Sequence, residues 1–322
     1  MPPLSRPWSV QIEFTEGCSR RCACCGINSI REKAGEGLCF IETELLGKIA
    51  EDLGKYAPTA RVEIAMHGEP LLHPRHLDLV QILRRKLPKT QIQMTTNGRA
   101  LMGGMQKHLD TLYEVGLDFV ILDTYEPERN ALRAEARTLT GIRVRDFYKE
   151  CVTDGWTPYA NHGRKVSKTI ILMDDLLAMD GVAKCRVIFN HAGNGKMGRK
   201  VKEPLRATCT NPFREIAIAY DGDVNICCMD FGHEYVAGNA REDSLQVIWE
   251  GDAFEAARMM LQNKRRDFSP CGRCDHPSGP RSGLLPKYPP VDRECVGTIR
   301  RLVDRSLARK RNKLEVMYPC QR

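Results

Sequence analysis

At 322 residues and 42% hydrophobic content, the chain has enough apolar mass for one large α/β domain plus a smaller appendage, which excludes a disordered or fibrous protein. The net charge is +8, but residues 300–313 hold seven Lys or Arg against Asp304 alone, so the body is nearly balanced and the tail is basic. The start, MPPLSRPWSV, has no apolar stretch behind its arginine, and no run of about eighteen apolar residues occurs; a cytoplasmic protein without a membrane partner is expected, in the host cytoplasm if virus-encoded.

Short β-rich runs alternate with helical spacing through the first 190 residues. SVQIEF (9–14), RVEIAM (61–66), QIQMTT (91–96), FVILDT (119–124), KTIILM (168–173) and CRVIFN (185–190) read as strands. Ile41, Leu45, Ile49 and Leu53 recur at helical spacing, as do Leu79, Leu83 and Leu87. Repetition of strand and helix implies a parallel sheet covered by helices, and six units are too few for a closed eight-stranded barrel. The predicted fold is α/β: a partial (β/α)6 TIM-like barrel over residues 9–196, behind an N-terminal arm, 1–8. Ligands of such sheets sit at the carboxyl ends of the strands.

Residues 197–208 are polar and basic and contain Pro204, the composition of a linker. REIAIAYDGDVNICCMD then predicts two strands turning at Asp221-Gly222. A helix over roughly 244–263 carries Leu245, Ile248, Trp249, Phe254 and Met259. With the loop SPCGRCDHPSGP, these make a small hairpin-plus-helix domain over 209–280; 281–322 is Pro-rich and then basic. In that tail Ile299, Leu302, Val303 and Leu307 share a helical face; the element is either a docked helix with a solvated basic side or a phosphate-binding one.

Fourteen cysteines in a reducing compartment point to metal ligation rather than disulfides. CSRRCACCG places Cys18, Cys22 and Cys25 in a C-x3-C-x2-C set directly after the first strand. Iron–sulfur clusters take Cys thiolates, and three ligands on a four-iron cluster leave one iron open, as a catalytic metal site leaves a position for substrate. A zinc site using all four local cysteines is the alternative, which the adjacency of Cys24 and Cys25 disfavours. Cys209, Cys227, Cys271 and Cys274 form a second constellation, able to clamp a cluster and staple the small domain; an all-cysteine zinc ribbon is its alternative. Cys228, beside Cys227, could replace it as ligand, donate hydrogen to a substrate radical, or pack as a small apolar residue; Cys39, Cys151, Cys185, Cys295 and Cys320 have no diagnostic spacing.

The C-x3-C-x2-C loop after the first strand of a partial barrel resembles the radical S-adenosylmethionine (SAM) superfamily. That resemblance implies a SAM-binding 4Fe-4S cluster held by Cys18, Cys22 and Cys25, reduced by flavodoxin or ferredoxin, and a 5′-deoxyadenosyl radical that abstracts hydrogen. It places Gly68 and Glu69 of HGEP in the motif that contacts the methionyl amino group, with His67 in place of a glycine. It likewise assigns SAM contacts to Asn97 of TTNG, to Asp123 at the ribose and to Asn190 near adenine. Cys24 stands where the family keeps an aromatic residue, which leaves only backbone for the adenine contact there. The second set resembles the shortened, twitch-like form of the SPASM domain and implies one auxiliary 4Fe-4S cluster on Cys209, Cys227, Cys271 and Cys274.

Three functions follow from the resemblance. The first is isomerisation of an amino-acid-substituted thymidine in DNA, as in phage-encoded members of the superfamily, with DNA or a modified nucleotide as partner; the basic tail and the lack of a leader-binding extension favour it. The second is modification of a precursor peptide by epimerisation, thioether formation or oxidation, and the third a non-catalytic iron–sulfur or zinc scaffold on nucleic acid.

Overall fold

The computed structural model describes residues 6–34, 37–125, 127–147, 166–174, 189–276 and 290–317. Chain order begins with β1 (Ser9–Ile12), β2 (Thr15–Glu16), α1 (Ile27–Ala34), β3 (Cys39–Phe40), α2 (Thr43–Tyr56), β4 (Arg61–Ile64), α3 (His76–Lys86), β5 (Ile92–Thr96), α4 (Met105–Glu114) and β6 (Phe119–Thr124). There follow α5 (Arg129–Ala136), β7 (Arg143–Asp146), β8 (Thr169–Asp174), β9 (Glu215–Ile218), β10 (Asp223–Asn225), β11 (Val236–Asn239), α6 (Leu245–Glu250), α7 (Asp252–Gln262) and α8 (Arg293–Met317).

Nine strands form one sheet in the order β11-β10-β9-β1-β4-β5-β6-β8-β7, parallel from β9 to β7. Parallel neighbours need crossovers, and α2, α3 and α4 supply them between β1 and β6. On α2 the expected stripe is buried: Leu45, Leu46, Ile49, Ala50 and Leu53 face Val10, Ile12, Val62 and Ile64 in one core. The result is the predicted α/β partial barrel, with its loops of chemical interest after β1, β4, β5 and β6.

Four details differ from the sequence expectation. Residues 185–188 of the sixth strand lie outside the described residues, and Phe189 and Asn190 are not in a strand. An additional strand, β7, runs parallel to β8 at the sheet edge; RVRD has Val144 as its one apolar residue, packed against the core, and carries no strand signal. The single helix over 244–263 is two helices, because Gly251 takes an extended ψ of 166° between α6 and α7. Leu307, placed on the apolar face of the tail, is 38% exposed.

The C-terminal hairpin extends the barrel sheet itself. The turn at Asp221-Gly222 forms as expected, with Gly222 at φ +93°, and β9 then lies parallel beside β1, pairing Ser9 with Glu215 and Ile12 with Ile218. A third strand, β11, completes the meander. α8 docks through Cys295 and Ile299, with Leu302 and Val303 packed alongside; Ser306 accepts from the Val236 N–H at 2.9 Å and so covers the edge strand. Arg300, Arg301, Arg305 and Arg309 face solvent, Arg309 reaching Asp223 at 3.4 Å.

Candidate active site

The loop 17–26 is wound by its own backbone: Cys25 N–H donates to the Cys22 carbonyl at 3.0 Å, and Asn28 Nδ2 donates to the same oxygen at 2.7 Å. Cys18 Sγ accepts from Arg20 N–H and from Asn97 Nδ2, each at 3.4 Å. Arg31 donates to the carbonyls of Cys18 and Arg20. Arg20 bonds the Cys22 thiol and Glu128, the latter at 2.5 Å, while its guanidinium lies 5.2 Å over the Tyr125 ring. Donors and positive charge aimed at sulfur suit thiolate ligands rather than inert thiols. Burial, ahead of neighbouring charges, pushes Cys22 up and Cys25 up to about 11, so the metal-free thiols hold their protons until a cation displaces them.

Gly68 is required by sterics. It bridges Gly17, and a Cβ there would collide with the Thr15 carbonyl and stand 2.6 Å from that of Gly17. Glu69, 4% exposed, accepts from Leu71 N–H (3.1 Å), Thr96 Oγ1 (2.7 Å) and Asn97 N–H (2.8 Å), locking HGEP to TTNG; burial raises its carboxyl despite those donors. Asn97 is thereby held over Cys18. Asp123 accepts from the Tyr125 hydroxyl beside Arg20.

Asn190 is turned toward the C-terminal segment. Its Nδ2 donates to the carbonyls of Arg199 (2.9 Å) and Arg273 (2.7 Å), and its N–H donates to Asp275 (2.8 Å). Its neighbours meet the cysteine loop instead. A Cβ on Gly195 would stand 2.7 Å from the Cys24 carbonyl, and His191 Nδ1 accepts from Gly26 N–H at 3.0 Å.

Cys209, Cys227, Cys271 and Cys274 line a single cavity with Arg266 and Met229. Cys227 Sγ accepts from Asn211 Nδ2 and Met229 N–H, and Cys274 Sγ from His276 N–H, all at 3.4 Å. Arg266 brackets the set, donating to the carbonyls of Ala207 (2.9 Å), Thr208 (3.2 Å) and His276 (2.7 Å). Burial and mutual repulsion push Cys209 up to about 11 and Cys274 up to about 12, and raise Cys271; in Cys227 the hydrogen bond with Cys228 comes first. Four converging sulfurs with N–H donors and a guanidinium fit an iron–sulfur cluster. Cys228 does not line this cavity; its thiol lies within 4.8 Å of ligand atoms of Cys227 and Glu215, and its carbonyl accepts from His67 Nε2 at 2.8 Å.

Sequence reasoning missed the polar group between barrel and hairpin. Glu13 accepts from His67 N–H (3.0 Å) and Tyr220 N–H (3.2 Å); His233 Nε2 sits 3.4 Å from Glu16. Burial, reinforced by Glu16, lifts Glu13 to about 8. Burial depresses His67 to about 3, whereas in His233 the bond and charge of Glu16 outweigh burial and raise it to about 9. Only the histidine in HGEP and the run DFGH hinted at this cluster.

Both thiol sets and their supports belong to a protein built around iron and sulfur. Residues 12–172 match the family model of the radical SAM superfamily, and the chain belongs to it; residues 209–275 match the SPASM iron–sulfur cluster-binding domain. Its cofactors are therefore a 4Fe-4S cluster and SAM, with auxiliary iron–sulfur in the SPASM domain. The S-adenosyl-L-methionine-dependent 2-deoxy-scyllo-inosamine dehydrogenase of Niallia circulans is 26% identical over 273 residues, 84% of this chain and 93% of that protein. The GTP 3′,8-cyclase of Chlorobaculum tepidum is 34% identical over 146 residues, 44% of this chain and 38% of the cyclase. Among solved structures, BtrN in complex with AdoMet and 2-DOIA shares the fold at TM-score 0.63 and 22% identity, covering 84% of this chain and 94% of that one. No helix of the described residues is long and apolar enough to cross a membrane.

Proposed function

We propose that Cys18, Cys22 and Cys25 hold the SAM-binding cluster, that Cys209, Cys227, Cys271 and Cys274 hold one auxiliary 4Fe-4S cluster, and that the enzyme abstracts hydrogen from a carbon bearing a nitrogen or oxygen substituent. The observation that carries this reading is the donor set on the sulfurs, above all Asn97 and the Arg20 N–H on Cys18. When bound, the cluster and SAM supply a 5′-deoxyadenosyl radical that takes a hydrogen atom from carbon. The chain's own residues orient and shield. Glu69 fixes the two strand-end turns and, using three of a carboxylate's roughly four acceptor directions, keeps one for the methionyl amino group. Gly68 admits the close backbone approach, Asp123 is assigned to the ribose, and the turn beginning at Asn190 presents backbone beside Cys24.

The substrate reading is isomerisation of an amino-acid-substituted thymidine in DNA, with abstraction at the amino-acid α-carbon. The exposed arginines of α8 support it, since they suit a phosphate backbone. A second reading, dehydrogenation of a small amine- or hydroxyl-bearing substrate, is favoured by likeness to the dehydrogenase along nearly all of that protein. Anaerobically reconstituted enzyme is given SAM and substrate deuterated at the reacting carbon: modified DNA, an aminocyclitol, or a peptide. Deuterium in 5′-deoxyadenosine from DNA, with a product that is an isomer of the undeuterated substrate because hydrogen has replaced the deuterium, is the expected result. An oxidised cyclitol establishes the second reading, and transfer from peptide alone overturns both. Cys228 is the candidate hydrogen donor; Cys228→Ala is expected to keep deuterium transfer and iron content while product falls.

A further inference from the structure

Phe231 lies on the loop after Cys227, where backbone and side chain leave it little freedom. Asp230 N–H donates to the Cys227 carbonyl at 3.2 Å, and the buried Asp230 carboxylate accepts from Glu234 N–H (3.0 Å) and Tyr235 N–H (2.9 Å). The ring stands between two imidazoles. His67 is 4.1 Å away, centroid to centroid, and His191 is 4.6 Å away at an interplanar angle of 27°. One ring edge presses on the first thiol loop: a Cβ on Gly26 would meet Phe231 at 2.8 Å and His191 at 3.1 Å. Phe231 also closes a small apolar cluster with Ile27 and Ile30, against which Cys25 packs.

His67 stands at the position of a family glycine, and here its imidazole is the floor of this stack while its Nε2 donates to the Cys228 carbonyl at 2.8 Å. Three segments therefore meet at one ring: HGEP, the turn of His191, and the loop that starts at a candidate auxiliary ligand. Cys25 and Gly26 rest on that assembly, with the Gly26 N–H caught by His191.

We infer that Phe231 is a positioning residue that couples the two thiol clusters: the folded auxiliary loop seats the ring, and the ring seats Cys25 and Gly26 in the geometry that binds SAM. This rests on the ligand assignment above. A C-terminal unit without its cluster would release the ring and, through it, the SAM loop.

The test uses the reconstituted holoenzyme and reads iron per chain, SAM affinity, and the change SAM causes in the electron paramagnetic resonance spectrum of the reduced protein. Phe231→Leu keeps apolar volume but not the stack. It is expected to keep both clusters, about eight irons, to weaken SAM about tenfold and to blunt the spectral change, with Phe231→Tyr restoring both. Cys271→Ala, which removes an auxiliary ligand, is expected to weaken SAM in the same way. Native SAM affinity and spectrum in Phe231→Leu, whatever its melting temperature, would overturn the coupling. A Cys18→Ala, Cys22→Ala, Cys25→Ala triple variant separates the two claims. If it loses no iron, the ligand assignment falls and the coupling with it; if it loses about half while Phe231→Leu is native, only the coupling falls.

Discussion

Arg266 is 2% exposed, and its guanidinium is directed at carbonyls on both sides of the second thiol set rather than at a carboxylate. Lysine would place a charge there without the planar fork that spans the two segments. Each hydrogen bond from a charged donor is worth about 1.5–3 kcal/mol. Arg266→Lys is therefore expected to lose the C-terminal iron, about half the total, while the first loop keeps its share, which iron and sulfide analysis measures. Glu13 makes a pH prediction. Its folded carboxyl is raised from 4.5 to about 8, so the folded protein holds a proton that the unfolded chain has released. Stability from this group is complete below about pH 4.5 and is lost as pH rises through about 8. His233, raised from 6.5 to about 9, acts in the same direction, while His67, lowered to about 3, costs stability only on acidification below 6.5. Melting of the anaerobic holoenzyme is expected to decline from pH 6.5 to 8, and Glu13→Gln to flatten that decline whatever its absolute melting temperature. Of the seven proposed ligands, Cys18, Cys22 and Cys25, and the pair Cys271 and Cys274, stand out in the sequence by local spacing, whereas Cys209 and Cys227 come from separate segments. Glu13 was not legible, because its partners Tyr220 and His233 lie on the far side of the chain and arrive only when β9 pairs with β1.

At the scale of elements, strands with apolar runs were readable, and so was the Asp-Gly turn, whose φ +93° at Gly222 glycine accepts without strain. β7 was not readable, since RVRD offers a single apolar residue, Val144, and neither was the break at Gly251, where the apolar spacing continues across two helices. The turn after β4 shows how an element end becomes a site. Gly68 lies against two carbonyls, and Gly68→Ala must push the HGEP loop off Thr15, an overpacking cost of about 1–3 kcal/mol. SAM binding measured by equilibrium dialysis is expected to be lost while far-ultraviolet circular dichroism stays native. α8 offers a stability counterpart. Ser306→Ala leaves the buried Val236 N–H without its acceptor, at about 1–3 kcal/mol. Thermal unfolding of the holoenzyme is expected to shift down, with iron content unchanged.

For the whole molecule, the junction of β9 with β1 decides whether barrel and SPASM domain are separable. β1 pairs on one side with β4 and on the other with β9, and its Val10 and Ile12 are fully buried in the core that α2 covers. Glu13, immediately beyond β1, takes one of its two backbone donors from Tyr220, on the turn after β9. Truncation after residue 208 would strip β1 of that neighbour and convert it from an interior strand to an apolar edge, the kind of surface that recruits other chains. The same cut removes Phe231 from the first thiol loop and the acceptor of His67 Nε2. Residues 1–208 are therefore expected to elute as aggregate in anaerobic size-exclusion chromatography and to bind little iron. A monodisperse fragment holding about four irons would show instead that the sheet closes without β9. The composition of 197–208 is that of a linker, and a linker invites the inference that the C-terminal unit is a separate body; the strand pairing argues that it is a return path for the chain to the edge of its own first strand.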